Sequence, residues 1–229
     1  VLLTVDYDRT LTAPDSTIPQ RNLEAIQYFM DEGGYFSVVT GRAYPAYLHL
    51  KDLIPVNCPT ALFNGAGIYD FEKEQYLWKR DLPEDITEHY HAVMEVFPTL
   101  GMEIFCWDKR VFAERPNIYV QRHQLLTQAP WVEIDRLESV GEPVAKLLFE
   151  DEYEVLVEVQ KFLLAQPWIK DYETIFSSKH LLLNYDFTSD KVFARDLLRA
   201  TNILVVPGSG FDWPDPDHFR IVMLPEAEE

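Results

Sequence analysis

The sequence predicts an α/β fold, a parallel β-sheet core with helices packed on it and an α+β layer inserted into it. Three observations predict it. Two short apolar runs, Val1 to Val5 and Tyr35 to Val39, flank an amphipathic stretch from Ile18 to Met30. That order of strand, helix and strand makes a right-handed parallel unit the expected geometry. Both runs end on polar residues, so a site is expected at the carboxyl ends of the strands. From Leu82-Pro83 onward the pattern changes to paired β-segments with interleaved helices, the signature of a separate α+β layer.

Taken in order, the first run meets Asp6 and Asp8 at once. The helix after it carries Leu23, Ile26, Tyr28, Phe29 and Met30, with Pro19 near its start and Gly33-Gly34 to end it. Tyr44 to Leu53 reads as a second helix. Pro59 to Asp70 reads as a strand, a glycine turn at Asn64-Gly65 and a returning strand. In the next section, helices are expected over Glu84 to Phe97, Ile118 to Leu126 and Glu152 to Ala165. Strands are expected over Met102 to Trp107 and Arg110 to Ala113 around an Asp108-Lys109 turn, then over Trp131 to Ile134, Val144 to Phe149, Thr174 to Ser177 and His180 to Leu183. His89 and His91 lie two apart on one helix, so they diverge and make a poor metal pair. Lys191 opens a helical stretch, Ile203 to Pro207 reads as a strand joining the parallel sheet, and Ile221 to Leu224 as a last one.

Composition narrows the function. The chain has 229 residues, of which 47% are hydrophobic, so a sizeable core is available. With 38 acidic and 20 basic residues the formal charge is −18, which argues against nucleic acid and anionic membranes as partners. An anionic substrate is repelled at long range too, so local cations have to overcome the field. Two cysteines, Cys58 and Cys106, fit a reducing compartment better than a disulfide framework. No apolar run is long enough to span a bilayer and no signal-peptide pattern opens the chain, so a cytoplasmic protein, monomeric or weakly dimeric, is expected. The sequence starts inside a strand at Val1, and an initiator Met is expected to precede it.

Asp6 and Asp8 are the first candidate residues. Carboxylates this close resist being ionised together, and a divalent cation or phosphate chemistry explains the pair. A solvated strand end or a helix cap explains it as well. Thr40-Gly41-Arg42 follows the second run directly and offers backbone N–H groups where an anion can sit. Arg42 reads equally as a phosphate ligand or as a surface residue at a helix start. Asn64 reads as a turn residue or, at the sheet's carboxyl edge, as a substrate contact.

Asp6-Tyr7-Asp8-Arg9-Thr10 resembles the first motif of the haloacid dehalogenase-like phosphohydrolases, and Thr40 resembles their second. Asn64-Gly65-Ala66 before a change of style resembles their Cof-like branch. The resemblance implies a magnesium-dependent phosphatase acting on a small phosphorylated metabolite. Asp6 is then the nucleophile and Asp8 the general acid and base. Thr40 and Lys191 hold the phosphoryl oxygens, and Thr10, Gly41, Arg42 and Asn64 contact substrate. Asp6, Asp8 and Asp212 hold Mg2+. It also implies a core over residues 1–80, a cap over 81–185 and core completion over 186–229. Two positions depart from the family pattern. Arg9 stands where glycine is usual, which strains the backbone if a glycine-only conformation is needed there. The Gly-Asp pair that binds metal is missing.

The closing segment, Val-Val-Pro-Gly-Ser-Gly-Phe followed by Trp213-Pro-Asp-Pro-Asp-His-Phe-Arg220, is similar to the carboxyl-terminal end of alanine aminotransferase-like pyridoxal-phosphate enzymes. There the residue matching Arg220 holds the substrate carboxylate. The cofactor-binding body and its Schiff-base lysine have no counterpart here, so transamination is excluded. Asp212, Asp215 and Asp217 read as turn residues in a proline-rich loop or as metal ligands. The sequence thus supports two readings: an active phosphatase, or a chimeric, inactive or very weak domain that at most binds metal or phosphate.

Overall fold

The structure is a computed structural model that describes residues 1–13, 15–107, 110–169, 172–178, 182–186, 206–207 and 219–220. It divides into two compact units, Val1–Phe187 and Thr188–Glu229.

The first unit contains two sheets. The first sheet is built from β1 (Leu2–Asp6), β2 (Tyr35–Val39), β3 (Thr60–Leu62), β4 (Gly67–Asp70) and β5 (Gln75–Lys79), in that spatial order. β1, β2 and β3 run parallel, and β4 and β5 return antiparallel. Helix α1 (Gln20–Asp31) makes the crossover between β1 and β2. It buries Ile26, but Tyr28, expected on the same face, is exposed. Gly33 ends the helix in a left-handed conformation, φ 85°. A Cβ on Gly34 would lie 2.3 Å from the Phe29 ring, so only glycine lets the chain turn back this tightly. Phe36, Val38, Leu62 and Phe63 fill the core with Tyr47.

The second helix is shorter than its sequence pattern suggests. α2 spans only Tyr44–Tyr47. Beyond it, Leu50 N–H donates to Tyr47 O at 2.8 Å and Leu53 N–H to Leu50 O at 2.9 Å, three-residue bonds that wind the chain into successive turns.

The second sheet has the order β10 (Glu173–Ser178), β11 (Leu182–Asp186), β9 (Val144–Glu150), β6 (Gly101–Cys106), β7 (Val111–Glu114), β8 (Trp131–Ile134). All its pairs are antiparallel except β7 with β8. Helices α3 (Ile86–Val96) and α5 (Tyr153–Leu164) pack with Met102, Ile104, Leu147 and Phe149 in one apolar cluster. Phe105, Val111 and Leu148 belong instead to the cluster of the first sheet. β9 is buried throughout, which explains its nearly continuous apolar sequence. α4 (Ile118–Thr127) packs near β6.

His89 and His91 diverge as expected. His89 is buried and stacks on Trp168 at 3.9 Å between centroids, and His91 pairs with Glu138 at 2.6 Å. Cys58 and Cys106 are both free thiols. No helix among the described residues is long and apolar enough to cross a membrane. In the second unit, Val206–Pro207 (β12) pairs antiparallel with Phe219–Arg220 (β13). The expected strand from Ile203 is therefore described only at its end. Its described partner there is β13. The Asp108-Lys109 turn, Lys191, Asp212, Asp215, Asp217 and the expected last strand over 221–224 lie outside the described residues.

Candidate active site

Asp6 is the last residue of β1 and lies opposite Val39, the last residue of β2. Thr40 is thus the next step along the neighbouring strand, at the same sheet edge. Asp6 is half-buried and Thr40 is buried. Immediately after Asp6 the chain makes a single π-helical turn, Tyr7–Leu11. Such wide turns concentrate at functional sites. Arg9 lies inside this turn, a backbone that makes no demand for glycine, and Thr10 is exposed on it. Thr12 closes the turn, its N–H at 3.2 Å and hydroxyl at 3.3 Å both donating to Tyr7 O.

Arg42 ties the two strand ends together. Its Nε and Nη2 donate to the two oxygens of Asp8, each at 2.9 Å, a two-pronged charge-assisted pair. Its guanidinium also lies 5.0 Å from the centroid of the buried Tyr7 ring. Burial works against the guanidinium charge, but the Asp8 carboxylate more than restores it and leaves the Arg42 pKa raised. Burial also pushes the Tyr7 phenol up. Arg42 is accordingly not a solvated surface residue: its side chain is 20% exposed against 52% for Asp8.

Thr40 is pinned by its backbone and capped by its side chain. Its N–H donates to Ala61 O at 3.0 Å, and its carbonyl accepts from Asn64 N–H at 3.2 Å. Its hydroxyl accepts from the Arg42 N–H at 3.1 Å, so the hydroxyl proton remains to be donated. Asn64 adopts φ 54°, left-handed geometry that asparagine tolerates. A Cβ on Gly41 would lie 2.3 Å from Asn64 Oδ1, so glycine is what allows the two loops to touch. Asp8, Arg42, Thr40, Gly41 and Asn64 therefore form one connected cluster, with Asp6 at the adjoining strand end.

The sequence reading did not single out Lys146. It lies on β9 of the second sheet, is 6% exposed, and its Nζ stands 3.5 Å from Gly41 O. The available signal was a lone lysine inside the apolar run Val-Ala-Lys-Leu-Leu-Phe. Trp107, just past β6, also reaches the first sheet, with ring centroids 5.0 Å from both Phe63 and Tyr76.

Known proteins resemble this chain in sequence and in fold. A haloacid dehalogenase-like hydrolase family matches residues 3–192. A Bacillus subtilis protein, 5-amino-6-(5-phospho-D-ribitylamino)uracil phosphatase YitU, is 24% identical over 163 residues, which are 71% of this chain and 60% of that one. Alanine aminotransferase of Mycobacterium tuberculosis is 51% identical over 45 residues, 20% of this chain but only 10% of the enzyme. The chain thus spans between a tenth and about three-fifths of these relatives. Among solved structures, a haloacid dehalogenase-like hydrolase from Bacteroides thetaiotaomicron superposes with a TM-score of 0.75 at 20% identity, over 88% of this chain and 77% of that one. A sugar phosphatase of the same superfamily gives 0.66 at 19% identity, over 88% and 76%. The match over residues 3–192 shows that the chain belongs to the haloacid dehalogenase-like hydrolase family.

Proposed function

We propose that this chain hydrolyses a small phosphorylated metabolite through a phosphoryl group carried transiently on Asp6. The observation that carries the reading is the position of Asp6 at the end of β1, beside the hydrogen-bonded run Asp8–Arg42–Thr40. A carboxylate oxygen of Asp6 attacks the phosphorus, and the bond to the leaving oxygen breaks. Asp8, which takes a proton from solvent once Arg42 turns to the phosphate, passes it to that oxygen. Water then attacks the same phosphorus, Asp8 takes the proton, and the bond to Asp6 breaks to release inorganic phosphate. The Thr40 hydroxyl donates to a phosphoryl oxygen throughout.

Arg42 has two employments in this scheme. Without substrate, its fork is filled by Asp8. An arriving phosphate competes for that fork and frees Asp8 for proton transfer. Lys146 stands close enough to the Thr40-Gly41 turn to add a second cation, beside the role expected of Lys191. A donor set of carboxylate oxygens suits Mg2+, which binds through one or two carboxylates and substrate phosphate. Asp6 and Asp8 would hold the ion, and when bound it would neutralise charge on the phosphoryl oxygens.

The second sheet, within residues 81–185, serves as the cap in this reading. Lys146 and Trp107 both reach the first sheet from it. Such a layer excludes water and selects the substrate. The names of the phosphatase relatives point to phosphorylated sugars or sugar-like polyols as the class. The test is turnover of an aryl phosphate and of a panel of sugar phosphates with Mg2+. Asp6→Asn is expected to lower kcat by about 10³-fold or more, as loss of a covalent nucleophile does elsewhere. Equal turnover by Asp6→Asn would remove the nucleophile and the proposal with it.

A further inference from the structure

A second cluster of ionisable groups lies under α4 and takes no part in the chemistry above. Glu103 of β6 and Glu150 of β9 are both fully buried, 0% exposed. In the β6–β9 register Glu103 faces Leu148 and Gly101 faces Glu150, so the two glutamates are diagonal neighbours on one face. His123 of α4 comes down between them. Its Nδ1 is 2.5 Å from Glu103 Oε2 and 3.4 Å from Glu150 Oε1. One donor atom from each of the three residues lies within 4.8 Å of the others. Gln124, the next residue, donates through Nε2 to Glu103 Oε1.

The helix is held close on purpose. A Cβ on Gly101 would lie 2.7 Å from Asn117 and from Val120 of α4. Asn117 caps α4 by accepting from the Tyr119 and Val120 N–H groups, and its Nδ2 donates to Glu150 O at 2.7 Å. The helix and the strand carrying Glu150 are thus fixed to each other.

Two independent observations point to a ligand. Neither oxygen of Glu150 accepts a hydrogen bond, although the residue is fully buried, and the Gln124 amide oxygen is likewise buried and unsatisfied. A buried carboxylate in that condition is costly. The inward face of α4 carries Gln124 beside Val120. The helix buries Gln124 while leaving Ile118, Leu125 and Leu126 at 71%, 80% and 66% exposure.

We propose that Glu103, His123 and Glu150 form a binding site for a first-row divalent cation of the Zn2+ class. Imidazole nitrogen with carboxylate oxygen is a donor set this class accepts, at about 2.0–2.2 Å per bond. Donor atoms around such an ion lie roughly 3.4 Å apart in a tetrahedral shell. The His123–Glu150 separation already has that value, and Glu103, at 2.5 Å from His123, has to withdraw. A half-turn of the Gln124 amide would present its oxygen as a fourth donor. The site is separate in sequence and in elements from Asp6, Asp8 and Thr40.

The experiment is Zn2+ titration of tag-free, chelator-stripped protein, read by calorimetry and by thermal midpoint, with Co2+ absorption as a probe of coordination. Asp6→Asn is expected to keep one tightly bound Zn2+. Glu150→Gln and His123→Asn are each expected to weaken that binding at least about 100-fold, beyond the loss caused by a mere supporting residue, and to abolish the thermal upshift. Glu103→Gln serves if either variant does not fold without metal. Failure of the parent to bind Zn2+, equal affinity in the Glu150 and His123 variants, or loss of the ion in Asp6→Asn would each overturn the site. Only the last leaves the Asp6 chemistry as the ion's true home.

Discussion

At Gly41 the space available is that of a hydrogen atom, since a methyl group there would collide with Asn64 Oδ1 at 2.3 Å. Asn64 is not free to retreat, because its N–H is bonded to Thr40 O and its backbone is left-handed. Gly41→Ala is therefore expected to cost about 1–3 kcal/mol, as overpacking of a fitted contact does. Urea denaturation measures it, and an unchanged midpoint would mean that Asn64 moves aside freely. At this scale the sequence was legible wherever the signal was local. Asp6, Asp8 and Thr40 stand at the ends of strands that their own apolar runs announce. The Asp8–Arg42 pair was not legible, because its partners are 34 residues apart and nothing in the spacing joins them. Lys146 and Glu103 were hidden as single polar residues in runs otherwise explained by packing, and His123 and Glu150 were hidden among polar neighbours in sequence.

At the scale of elements, caps decide more than propensity. α4 exposes most of its apolar residues, so its position depends on its amino end, where Asn117 satisfies two helix N–H groups and grips Glu150 O. Asn117→Ala is expected to destabilise the protein by about 1–2 kcal/mol, from the lost cap. Thermal melting measures this, and Asn117→Asp should recover the cap but not the bond to Glu150. Long periodic segments such as α1 and α5 were legible, because one face has to be apolar. α2 was overextended in the sequence reading because its apolar spacing continues after tighter turns have replaced the helix. β5 was missed, although Tyr76 and Trp78 are half-buried and alternate with exposed Gln75, Leu77 and Lys79. The alternation is there, but exposed charges on either side mask it. β11 is described over Leu182–Asp186, and His180, where the strand was expected to start, lies outside the described residues.

For the whole molecule, net charge sets a condition on any anionic substrate. A formal charge of −18 repels a phosphate dianion until the local cations at Arg42 and Lys146 take over. Salt screens the first effect before the second, because the Debye length falls from about 30 Å at 0.01 M to about 8 Å at 0.15 M. At saturating Mg2+, kcat/KM for a phosphate monoester is therefore expected to rise with ionic strength over that range. A fall would show that the cations near the site already govern approach. The two sheets of the first unit share one further property. Trp107 directly follows β6 of the second sheet, yet its indole is wedged among Tyr76 and Gly67 of the first sheet and Phe63 of the turn after β3. Parting the sheets would wet that indole and redden its emission, so the protein carries its own optical gauge of how tightly they are shut.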